Sequence, residues 1–136
     1  MKIQEAVKDY FSGQKDVVSV YLFGSTATGK THSTSDVDIA VFFQSSLPQE
    51  EQSSRSLLMM DELSRILDKN IDIVVLNSAN SFLKFQVIKS WVRICEDKER
   101  KSRGFEARAI MEYFDFLHIR NRLERGEDEL VNPKDA

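Results

Sequence analysis

Cysteine is nearly absent from this chain, with one residue, Cys95, in 136. A lone thiol forms no internal disulfide, so a disulfide-stapled scaffold is excluded and a reducing compartment is expected. A basic surplus is missing as well. The 19 lysines and arginines are outnumbered by 22 acids, and the net charge of −3 gives no electrostatic reason to expect direct nucleic-acid binding. No run reaches the ~18–20 apolar residues of a membrane span. The opening MKIQEAVKDY lacks the apolar stretch of a secretory signal. The expectation is a soluble, cytoplasmic protein with no membrane association. Internal repeats, low-complexity segments and linkers are also lacking. The length suits one core rather than two. We therefore expect one domain over residues 1–126 and a polar C-terminal tail over 127–136.

Against these absences, periodicity predicts an ordered alternation of helices and strands. Ile3, Ala6, Val7, Tyr10 and Phe11 recur at helical spacing, and Gly13 follows as a stop. VVSVYLF (17–23) is β-branched and aromatic and reads as a strand. A second strand is expected over 36–43, with Val37, Ile39, Val41 and Phe43 on one face. Ser46-Leu47-Pro48-Gln49 has the form of a capping box. It would open a helix running to about Lys69, with Leu57, Met60, Leu63 and Leu67 as its apolar stripe and Asn70 as its end. IDIVVL (71–76) reads as a third strand, and Asn77–Asn80 as a turn and cap. Phe82, Phe85 and Ile88 mark a short helix, WVRIC (91–95) an edge strand, and about 98–125 a long final helix.

The connections constrain the sheet. A helix-free loop between the first two strands favours antiparallel pairing, whereas the long helical crossover between the second and third favours parallel pairing. The fold class expected is α/β (α+β), a small mixed β-sheet with flanking helices. In that arrangement Gly24-Ser25, Asp36, Asp38 and Asp72 meet at one edge of the sheet.

Those residues carry the chemistry. Asp36 and Asp38 leave one face of a strand two residues apart, and carboxylates that close repel unless a cation neutralises them. Mg²⁺ suits all-oxygen donors and binds through one or two carboxylates plus substrate phosphates. Asp72 interrupts an otherwise apolar strand, where a buried unpaired carboxylate is costly, and would add a third ligand. Gly24 would let a nucleotide approach the backbone, and Ser25 would offer its hydroxyl and N–H to phosphate oxygens. The bland alternative is that Asp-x-Asp is a pair of solvated strand-end acids.

Residues 24–31, GSTATGKT, also satisfy the P-loop pattern GxxxxGK[ST]. A P-loop needs a helix behind its lysine to present N–H groups to phosphate. Only His32-Ser33-Thr34-Ser35 separate Thr31 from the next strand, so that reading is rejected. Its test is Lys30→Ala, which a P-loop enzyme would tolerate no better than Asp36→Ala.

Gly24-Ser25, Asp36-x-Asp38 and Asp72 together resemble the signature of the DNA polymerase β-like nucleotidyltransferase superfamily. The short length and the stretch Phe105-Glu106-Ala107-Arg108 to Tyr113-Phe114-Asp115-Phe116 resemble its minimal nucleotidyltransferase (MNT) branch. The resemblance covers nearly the whole chain and implies a polymerase β-like palm fold. It further implies an antitoxin that transfers AMP from Mg-ATP to a hydroxyl, a tyrosine for some members, of a cognate HEPN RNase toxin. Asp36, Asp38 and Asp72 would then be the catalytic and metal-binding residues, holding two Mg²⁺ ions, and Gly24 and Ser25 the nucleotide-binding pair. The alternative is a non-catalytic antitoxin that neutralises by contact. Many relatives carry an arginine soon after the GS, where this chain has Thr26-Ala27-Thr28-Gly29. Lys30 is a candidate replacement, with a solvated loop lysine the plainer reading.

Other residues receive structural readings. His32 and His118 are unassigned, Cys95 is a packing residue, and Trp91 a core or edge-covering aromatic. The final helix is different. On a 100° wheel its apolar residues span roughly 220°, wider than one sheet covers, and a protein-binding surface is expected there.

Overall fold

The computed structural model describes residues 2–23, 36–96 and 101–126. Over these the chain forms α1 (Ile3–Ser12), β1 (Val17–Leu22), β2 (Val37–Phe43), α2 (Gln49–Leu67) and β3 (Ile71–Val75). A single 3-10 turn (Leu76–Ser78) then leads to α3 (Ser81–Ser90), β4 (Val92–Glu96) and α4 (Lys101–Glu124). The four strands lie in the order β3-β2-β1-β4. β1 is antiparallel to β2 and β4, and β2 is parallel to β3, as the connection lengths required. The expected mixed-sheet α/β architecture is the one observed.

Strand alternation assigns the two faces. Val20, Leu22, Val37, Ile39, Val41, Phe43 and Ile73 pack against Val7 and Phe11 of α1 and Met59 and Leu63 of α2. Tyr21 and Ala40 point the other way, to Val87 of α3 and Phe105 of α4, with Phe42 and Val74 beside them. Phe42 stacks on Phe105 with ring centroids 3.9 Å apart. Both faces of β2 are thus covered, which accounts for its nearly continuous apolar sequence.

Helix α2 departs from the sequence reading in three respects. The capping box does not form, because the helix begins at Gln49 and leaves Ser46 outside its first turn. Pro48 holds the N-cap position without a side-chain cap bond. Gln52 takes over the task further in, its Nε2 donating to the Leu47 carbonyl at 2.8 Å. Second, the buried stripe is Gln52, Ser56, Met59 and Leu63, while Leu57 is 65% exposed and Met60 and Leu67 only flank the core. A count of apolar residues passes over Gln52 and Ser56. They can be buried because each satisfies its polar group locally, Ser56 Oγ donating to the Ser53 carbonyl at 2.7 Å. Third, the helix ends at Asp68, in the left-handed conformation (φ 53°, ψ 46°), before Asn70 is reached. Aspartate is among the few non-glycine residues that tolerate that position.

Asn80 caps α3 as expected, its Oδ1 accepting from the Leu83 N–H at 2.8 Å. β4 is an edge strand, and no helix among the described residues is long and apolar enough to cross a membrane.

Candidate active site

The carboxylates owe their positions to register. In the parallel pair β2–β3, Asp38 lies directly opposite Asp72. A slip of one residue would carry Asp72 to the α1/α2 face, and two features prevent it. Ile71 and Ile73 bury their side chains on the α1/α2 side. At the far end of the strands Asn77 acts as a surrogate strand partner. Its Oδ1 accepts from the Phe43 N–H at 2.9 Å and its Nδ2 donates to the Phe43 carbonyl at 3.0 Å. Because Val37 and Ile39 face α1 and α2, Asp38 between them faces the α3/α4 side, as does Asp72 between Ile71 and Ile73.

Asp36 is exposed, one residue before β2 begins. Partial burial raises the pKa of Asp38 above the ordinary carboxylate value, and the nearby charges of Asp72 and then Asp36 raise it further. The three acids expected to share a site therefore share an electrostatic field. Asp72 is exposed, so the cost of a buried carboxylate does not explain its presence in β3. Its place opposite Asp38 does.

The donor set suits a hard divalent cation in chemistry, being all carboxylate oxygen with no soft ligand. The side chains do not close around a shared point. Among the described residues no group of three His, Cys, Asp or Glu is placed to hold a metal ion. Gly24, Ser25, Lys30 and His32 lie outside the described residues.

Phe23 continues the ladder past β1 as the 17–23 strand expected, its N–H donating to the Asp38 carbonyl at 3.1 Å. Two side-chain contacts of this edge were not read from the sequence. The ring of Phe23 meets Trp91 edge-on, with centroids 5.5 Å apart and planes at 80°. The signal available was its position as the last residue of the VVSVYLF run, directly before Gly24-Ser25. Deeper on the same face, Tyr21 donates to Glu106 Oε2 at 2.7 Å, and Arg93 Nη1 binds Glu106 Oε1 at 2.9 Å. These bonds tie α4 to β1 and β4.

Elsewhere the plain readings hold. Burial pushes the half-buried Cys95 thiol up to about 11, which keeps it protonated and poorly nucleophilic. His118 is exposed on α4. A cavity of about 660 Å³ lined by Lys8, Phe11, Val17 and Cys95 opens at the end of β1 away from the acids.

A four-stranded mixed sheet bearing acids on two adjacent parallel strands is the architecture of a nucleotidyltransferase palm. Residues 5–100 match the family described as Polymerase beta, Nucleotidyltransferase, and the chain belongs to that family. Within it, the chain is similar to the protein adenylyltransferase MntA of Shewanella oneidensis, with 36% identity over 69 residues. That match takes in 51% of this chain and 47% of MntA, so it spans about half the length of the curated relative. Among solved structures, a toxin–antitoxin with AMP-PNP superposes with a TM-score of 0.72 at 23% identity, covering 91% of this chain and 97% of its own. The MNT antitoxin complex of a tri-AMPylated S. oneidensis HEPN toxin gives 0.65 at 22% identity, covering 91% and 98%. The fold is shared with both, and the resemblance to minimal nucleotidyltransferases agrees with these relatives.

Proposed function

We propose that this chain is a nucleotidyltransferase antitoxin that attaches AMP from ATP to a tyrosine hydroxyl of a partner HEPN toxin and so silences it. The acceptor oxygen attacks the α-phosphorus, the bond from that phosphorus to the β-bridging oxygen breaks, and pyrophosphate leaves. The observation that carries this reading is the register pairing of Asp38 with Asp72, with Asp36 in the same electrostatic field. Asp36 and Asp38 would hold two Mg²⁺ ions, with Asp72 on the acceptor side, and the ions would supply charge neutralisation for the phosphates and a lowered pKa for the attacking hydroxyl. Asp72, exposed at the rim, would help to ionise the acceptor hydroxyl. Gly24 and Ser25 would hold the β- and γ-phosphates.

The partner's surface is the outer part of α4. Met111, Phe114, Phe116, Ile119 and Leu123 are all exposed there. Phe116, Ile119 and Leu123 continue the stripe of Phe105 and Ala109 beyond the sheet, a clustering that suits a protein interface. That surface also favours a second reading, in which contact alone neutralises the toxin.

Co-expression with the toxin separates the two. Under the first, AMP appears on the toxin, and the double change Asp36→Ala/Asp38→Ala abolishes both the modification and the protection. Protection that survives this change, with no AMP on the toxin, would establish neutralisation by contact. A cytoplasmic location and the absence of nucleic-acid binding complete the proposal.

A further inference from the structure

We propose that Phe23 and Trp91 form the platform on which the nucleobase of the substrate stacks. The inference rests on the nucleotidyltransferase reading above and adds to it a base site outside the carboxylates. Both residues are fixed by backbone bonds, Phe23 N–H to the Asp38 carbonyl at 3.1 Å and Trp91 N–H to the Val87 carbonyl at 2.9 Å. Leu22 faces α1 and α2, so Phe23 turns to the α3/α4 side, the face of Asp38 and Asp72. Trp91 packs on the cluster of that same face and meets Phe23 edge-on.

The burial of these rings is incomplete for their position. Phe23 is 42% exposed although it is hydrogen-bonded to a central strand, and Trp91 is part-exposed. Rings at 80° cannot cover one another, so an apolar face is left at the rim of the site. A cross-strand neighbour of Asp38 lies about 5 Å from it, and Trp91 lies one ring further out. A nucleotide whose α-phosphate meets the acids would place its base at that remove. The corner is built from the sheet and the α3–β4 junction of this chain and stands ready before any partner arrives. That suits the nucleotide better than the acceptor. Stacking grips the ring face of any base, so the corner would set affinity more than base identity.

Trp91 is the only tryptophan in the sequence, so its emission reports on this corner alone. The full-length chain would be titrated with Mg²⁺–AMP-PNP and, in parallel, with Mg²⁺–tripolyphosphate, which has the phosphates without the base. Calorimetry would measure binding independently. The expected result is saturable quenching by AMP-PNP and none by bound tripolyphosphate. Phe23→Ala should weaken AMP-PNP about tenfold and leave tripolyphosphate unchanged, with Trp91→Phe close to wild type in affinity. AMP-PNP that binds without altering Trp91 emission, and equally well to Phe23→Ala, would overturn the platform and leave the nucleotide reading standing. Failure of both ligands to bind would overturn the nucleotide reading, and the platform with it.

Discussion

The two faces of the sheet differ in what they can give up. Toward α1 and α2, thirteen buried residues form one apolar cluster, among them Ile39, Val41, Phe43 and Leu63, each fully buried. Toward α3 and α4 the buried cluster has five members, and one of them, Tyr21, carries a hydroxyl that must be satisfied by Glu106. The acids stand at the rim of this second face. Holding like charges together costs stability, and a fold can bear that cost where another surface supplies most of the hydrophobic free energy. The stable face sets the register, and the poorer one carries the acids.

The sharpest break in this comparison is Asp36→Ala/Asp38→Ala. AMP transfer should fall by about 10³-fold or more, the scale lost when the electrostatic machinery of an active site is removed, while the thermal midpoint does not fall. Transfer would be read as AMP on the partner by mass spectrometry. Next in size is Leu63→Ala on the opposite face, which should cost about 3 kcal/mol in denaturant unfolding and lower the midpoint by roughly 10 °C. Glu106→Ala, which strips a partner from both Tyr21 and Arg93, should cost less, about 1–2 kcal/mol by the same measurement.

The smallest effect has the opposite sign. Burial and two neighbouring carboxylates raise the pKa of Asp38 in the folded protein, so the native state holds that proton more tightly than the unfolded chain does. Stability then falls as pH rises above the ordinary carboxylate value, where Asp38 ionises against its neighbours. Asp38→Asn should therefore stabilise the metal-free protein at pH 7 by ~1–2 °C, an estimate reduced for the exposure of the group. The gain should shrink as pH falls toward 4, as followed by thermal shift across a pH series.

Much of this was legible in the sequence. The loop and crossover lengths gave the strand directions, and alternation in VDIAVFF placed Asp38 on the face away from the main core. Helix α2 was misread because its buried seam includes Gln52 and Ser56, and polar residues that satisfy themselves leave no mark in an apolar periodicity. The parallel crossover placed Asp72 on the strand beside Asp38, as observed, but the burial also expected of it is not there. The direct register of the two was not legible, because Asn77 grips Phe43 across 34 residues to help hold it. The aromatic corner was out of reach because Phe23 and Trp91 are joined only by the pairing of β1 with β4.

The central claim is that the acids on the poorer face direct attack at the α-phosphorus. Parallel incubations with the co-purified toxin, one with ATP labelled at the α-phosphate and one at the γ-phosphate, test it most directly. The account predicts that α-label moves to the toxin and γ-label leaves as pyrophosphate, both lost in Asp36→Ala/Asp38→Ala. Transfer of γ-label to the toxin, or α-label transfer undiminished by that double change, would contradict it.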